Sequence, residues 1–147
     1  MKDKWLPNSE ARYGATGAKG DKGEAIVEQY CKDNDINFED KNDRHSQVNL
    51  KIDCKINGIP VDVKSNYYMG RLAVEIETFR NQPGWIYSTT AEQIYGVDVD
   101  TKAIYRYNVS DMKQYVEENK TRAKKTKKGD VLLWVSVKNT SFIERIQ

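Results

Sequence analysis

The stretch VNLKIDCKINGIPVDVK, residues 48–64, decides how the rest of the chain is read. Leu50, Ile52, Cys54 and Ile56 alternate with Asn49, Lys51, Asp53 and Lys55, the period of a strand with one buried face. Asn57-Gly58 then supplies the residue pair that a two-residue type I′ turn requires, because both central positions take positive φ. Ile59, Val61 and Val63 continue the apolar face on a return strand, so the spacing predicts a β-hairpin. Its register follows by counting: Ile56 faces Ile59, Lys55 faces Pro60, Cys54 faces Val61 and Asp53 faces Asp62. The last pair falls on the closer, non-hydrogen-bonded type, at about 4.5 Å between Cα atoms. Pro60 falls on the same type, where its missing N–H breaks no bond within the hairpin.

Two carboxylates directly opposite each other on a sheet repel, and a cation between them is the usual reason to keep them. Lys64 stands two residues beyond Asp62, so the strand period puts both side chains on one face. An ammonium beside a carboxylate-bound cation can orient or help deprotonate a water that attacks a phosphodiester. An all-oxygen ligand set points to magnesium, with manganese as its substitute. His45 is the single histidine, which excludes sites built on paired histidines.

These residues resemble the PD-(D/E)xK nuclease superfamily, with Asp53 in the place of the first aspartate and Asp62-Val63-Lys64 in the place of (D/E)xK. Ile52 stands where that family usually has proline. The resemblance extends to Glu24 in GDKGEAIVEQY, which matches an acidic residue on the preceding helix. It also extends to RLAVEIETFRNQPGWIYSTTAEQIYGV, which is similar to a segment of small phage-encoded and junction-resolvase-like members. Together these motifs cover roughly residues 20–118. The resemblance implies an αβββαβ restriction-endonuclease-like core and magnesium-dependent hydrolysis of DNA. It implies Asp53, Asp62, Lys64 and Glu24 as the catalytic set, and Asp53, Asp62, Val63 and Glu24 as metal ligands. Two other functions remain open: a catalytically silent DNA-binding module, and a phage accessory protein that grips a host protein.

Outward from the hairpin, Asp21 and Glu24 have the spacing of a capping box for a helix that buries Ile26, Val27, Tyr30 and Cys31 and runs to Asn34. That box is also the structural alternative for Glu24. Residues 1–19 lack periodicity and are expected to form a flexible lead-in, leaving 20–147 as one domain. Strands are expected at Leu72–Ile76 after a Met69-Gly70 turn, at Gln93–Val97, at Ala103–Asn108 and at Val131–Val137. Ser110 is expected to cap a short helix through Glu118. The order is that of an α/β or α+β domain with a mixed sheet flanked by helices. Glu75 and Glu77 share a face of their strand and either can assist a metal or simply meet solvent. Ser65 and Asn66 follow the motif and can contact phosphate or merely turn the chain, and Tyr67 and Tyr68 can stack on a base or pack.

At 147 residues the chain fits one domain, and so one site. No run reaches the roughly 18 apolar residues of a membrane span, and the N-terminus MKDKWLPNSEARYG has no signal-peptide core. The expectation is a cytoplasmic protein, in a host cell if phage-encoded, with no membrane partner. Cys31 and Cys54 form neither a disulfide framework nor a zinc spacing. The net charge of +2 is uneven, since KTRAKKTKK (120–128) holds six cations and no acid, leaving the remainder at −4. Lys120, Arg122, Lys124, Lys125, Lys127 and Lys128 are therefore expected to form a basic loop, either for DNA phosphates or merely solvated. A homodimer is expected if both DNA strands are cut at once, because one chain carries one site.

Overall fold

The computed structural model describes residues 15–41 and 43–147, and the side chains from residue 22 onward except that of Gln47. The expected flexible lead-in lies largely outside the described residues. The first helix, α1 (Ala15–Asp33), begins before the expected domain boundary at residue 20, so that boundary falls inside it. Asp21 and Glu24 therefore sit within the helix, and the capping box expected there is not its start. The buried positions Val27 and Cys31 are four residues apart, one helical turn, and anchor α1 to the sheet below.

Three short strands follow: β1 (Phe38–Asp40), β2 (Cys54–Ile56) and β3 (Ile59–Lys64). The alternation of residues 48–56 had predicted a longer β2. Instead His45–Leu50 coils into a π-helical turn. Asp43 accepts hydrogen bonds from both the amide and the hydroxyl of Ser46, and the amide of Ile52 returns to the carbonyl of Ser46. Lys51 takes φ 58°, and the chain becomes extended only beyond it. Side-chain capping thus overrides a strand-like pattern.

The chain continues through β4 (Tyr67–Tyr68), β5 (Arg71–Glu77), the short helix α2 (Trp85–Ser88), β6 (Gln93–Val97), β7 (Ile104–Asn108) and α3 (Val109–Asn119). A 3₁₀ turn (Lys120–Arg122), β8 (Lys124–Lys125), β9 (Val131–Ser136) and β10 (Glu144–Arg145) complete it. Ser110 lies inside the first turn of α3. The N-cap is Asn108, without a side-chain cap bond.

The strands form two sheets. The first has the order β1-β2-β3-β6-β7-β10 and is mixed, with β3 and β6 parallel and the other neighbours antiparallel. A parallel pair needs a crossover, and the segment from Ser65 to Glu92 provides it. The second sheet, β4-β5-β9-β8, is antiparallel and is built partly from that crossover. The Leu72–Ile76 strand therefore belongs to this second sheet and not to the sheet of the hairpin. The fold is mixed α and β with few helices.

Apolar side chains gather in two cores. One lies under α1 and joins Val27, Cys31, Cys54, Val61, Val63, Tyr95 and Val97. The other joins Ile94, Tyr105 and Tyr107 of the first sheet to Leu72, Val74 and Leu133 of the second and to Met112 and Val116 of α3. Strand β3 is thus covered on both faces, which explains why Val61, Asp62 and Val63 are all buried. Among the described residues no helix is long and apolar enough to cross a membrane.

Candidate active site

The hairpin forms with the turn its sequence requires. Asn57 has φ 51° and Gly58 φ 80°, and the register is Ile56 with Ile59, Lys55 with Pro60 and Cys54 with Val61. The ladder stops there. Asp53 does not continue it by pairing with Asp62, because its amide turns inward to the carbonyl of Val61 at 2.9 Å while its own carbonyl accepts the amide of Lys41. Its side chain does what a longer strand would have done: Asp53 Oδ2 accepts the Val63 amide at 2.8 Å. One carboxylate thereby both ends the strand and lies beside the next residue's site.

Asp62 reaches the same place from β3. The parallel register sets Asp62 beside Ile94 and Lys64 beside Gly96, and the antiparallel register extends these rows to Tyr107 and Tyr105. Asp62, Lys64 and Tyr107 therefore share the sheet face turned away from α1. Gly96 matters here, because a Cβ at that position would stand 2.9 Å from the Leu72 side chain. Its absence lets the second sheet close against the row that carries Lys64.

Electrostatics couple the three groups. Lys64 Nζ lies 3.3 Å from Asp62 Oδ2 and 5.0 Å from the centroid of the Trp85 ring. Asp62 Oδ2 is nonetheless a buried oxygen without a hydrogen bond, so its link to the ammonium is an ion pair by distance without good alignment. Burial pushes the Asp62 carboxyl well above the usual range, the ammonium of Lys64 opposes this, and the charge of Asp53 adds to it. Burial works against the Lys64 ammonium, but Asp62 and Asp53 outweigh it and raise its pKa. Two carboxyl groups and one ammonium thus meet in a largely buried place. Tyr107 adds a buried hydroxyl without a partner, raised by burial and by Asp62.

Glu75, on β5, is the residue whose importance is clear only in three dimensions. Its carboxylate accepts the Trp85 amide at 3.2 Å, and its charge acts on Lys64. Burial raises its own pKa, with Asp130 adding to and Lys64 and Lys128 opposing that rise. Glu77 enters none of these interactions. Glu24 is felt instead at the Cys54 thiol, on the α1 side of the sheet, and does not figure among the groups acting on Asp62 or Lys64. Among the described residues no three carboxylate, imidazole or thiol groups converge as a metal cluster, so the hairpin contributes a pair.

The segments flanking the site are mostly structural. Ser65 Oγ fills the space against Gly23 of α1, where a Cβ would stand 2.2 Å from it. Asn66 Nδ2 donates to the carbonyl of Ala73, and Tyr67 stacks on Tyr105. Cys31 and Cys54 are buried free thiols. His45 is exposed and bonded to Asn49.

The basic segment is more ordered than a loop. Lys120 and Arg122 lie in the 3₁₀ turn, Lys124 and Lys125 form β8 against β9, and Lys127 and Lys128 occupy the turn between them. All six cations are exposed. Lys120 pairs with Glu117 at 2.9 Å, and Lys128 is close enough to act on Glu75. The basic hairpin therefore borders the acid and lysine site.

No family model matches the chain, and neither does any curated protein or solved structure. The site's own chemistry must carry the functional reading.

Proposed function

We propose that the chain is a metal-dependent nuclease of PD-(D/E)xK type that hydrolyses DNA phosphodiesters. The observation that carries this reading is the buried pair Asp53 and Asp62 sharing one ammonium on one hairpin. The pair fits a divalent cation, because it brings two carboxyl groups together and one buried oxygen of Asp62 accepts no hydrogen bond. Asp53, Asp62 and Val63 would hold magnesium or manganese, with Glu24 as the third acid that the resemblance implies. Such an ion, when bound, supplies positive charge that screens the phosphate and acidifies water. The element order supports the same reading: α1, three antiparallel strands β1 to β3, the short helix α2 and the parallel strand β6 follow one another as αβββαβ. The third strand of that series is β3, and β4 and β5 are an insertion between it and α2.

Lys64 has a definite part. An amine whose pKa is raised stays protonated at neutral pH, so it donates to the phosphate or to the attacking water and does not remove a proton. Trp85 and Asp62 fix its ammonium in place, and the exposed cations of the basic hairpin attract the substrate backbone. Attack of water on phosphorus then expels one ester oxygen and leaves two DNA ends. Purified protein with magnesium should cut plasmid or branched DNA, and Asp62→Ala should abolish the cutting; unchanged cutting by that variant overturns the proposal.

The six exposed cations of residues 120–128 also suit a second reading, a DNA-binding module without turnover. Binding that is salt-sensitive yet indifferent to chelator and to Asp53→Asn, with no cleavage, would select it.

A further inference from the structure

The outer face of the second sheet carries side chains that its own fold does not use. Trp134 is 36% exposed although its neighbours Leu133 and Val135 are buried, and Tyr68 is 64% exposed. Their rings lie 6.3 Å apart. Both stand on the face opposite the core, because Tyr67 turns inward to Tyr105 while Tyr68 turns out. Beside them opens a cleft of about 420 Å³ lined in part by Arg71, Arg122, Trp134, Ser136 and Asn139, with no acidic residue among the described residues of its wall.

Such large aromatic surfaces are seldom left to water without a use. Two guanidiniums without an opposing acid suit a phosphate backbone, and a tilted pair of flat rings suits a base. In a duplex the base faces are already stacked on one another, so these rings are useful only to an unpaired strand. The platform is also in reach of the site. In the β5-β9 ladder Glu75 faces Leu132, Ala73 faces Trp134 and Arg71 faces Ser136, so Trp134 is about 7 Å and Arg71 about 13 Å from the Glu75 level along the strands.

We infer that this face binds an unpaired strand of the DNA substrate, with a base against Trp134 and Tyr68 and its phosphates against Arg71 and Arg122. The inference rests on the nuclease reading and narrows it to substrates that combine duplex with a single-stranded tail or flap.

Fluorescence anisotropy in excess chelator separates binding from cutting. The probes are a labelled blunt duplex and the same duplex with a ten-nucleotide single-stranded tail. The tailed probe should bind the native chain more tightly, and Trp134→Ala should remove that advantage by roughly 5- to 150-fold while leaving blunt-duplex affinity within about twofold. Trp134→Phe, which keeps a stacking ring, should retain most of it and controls for folding. Equal affinity for both probes, or a tail preference untouched in Trp134→Ala, overturns the inference. Cleavage with magnesium reports on the other reading separately: a tail preference that depends on Trp134 in a chain that never cuts DNA would sink the hydrolase and leave the platform standing.

Discussion

Asp62 is the residue under most electrostatic stress, and the sign of that stress can be measured. Burial holds its carboxyl above the ordinary value of 3.8. Between that value and the raised one the native chain keeps a proton that the unfolded chain has released. Its contribution to stability is therefore greatest below about pH 4 and is lost as pH rises through the raised pKa. Asp62→Asn preserves the shape and removes the charge, so in chelator it should stabilise the protein at pH 7 by on the order of 1 kcal/mol, about 3 °C in melting temperature. The gain should vanish below about pH 4, and equal melting of the two proteins at pH 7 would contradict the argument. Lys64→Met tests the neighbouring group. Cutting should fall by roughly 100- to 10,000-fold, the range of a positioned proton donor, while uptake of the metal persists.

At the scale of elements, the hairpin is a local device and was legible, because Asn57 and Gly58 alone dictate the turn and hence the register of three pairs. Legibility failed where distant or competing contacts decide. Residues 48–52 alternate like a strand, yet Asp43 and Ser46 coil the chain just before them. Strand β1 is three residues long and gains its partner, Ile56, eighteen residues later in Phe38 pairing. Leu72 and Val74 read as a strand, but alternation cannot say which sheet receives it. The site followed the same division. Counting along one short stretch singled out Asp53, Asp62 and Lys64, but the expected ladder pair of Asp53 with Asp62 does not form, and Tyr107 and Glu75 arrive from β7 and β5 through tertiary packing. Gly96 makes a test of that packing. Gly96→Ala drives a methyl into Leu72 and Asn66, so urea denaturation should show a loss of roughly 1–3 kcal/mol. A neutral result would mean that the two sheets are not held as closely as the structure shows.

Across the whole molecule, charge is segregated: six exposed cations lie in one hairpin and the 3₁₀ turn before it, and the buried acid pair lies beside them. On the nuclease proposal, attraction of a polyanion to the cations would bring phosphates toward the acids, and a divalent ion would relieve their repulsion. Replacing Lys124, Lys125, Lys127 and Lys128 together by Gln should lower duplex affinity and reduce the slope of log K against log salt by up to about 3.6, the value for four lost phosphate contacts. An unchanged slope would place the DNA elsewhere. The acid pair itself is tested most directly by calorimetric titration with Mn²⁺ in the absence of DNA. One ion per chain is predicted at neutral pH, with affinity falling as the solution is acidified and uptake lost in Asp53→Asn/Asp62→Asn. Equal uptake by the native chain and that double variant would contradict the account.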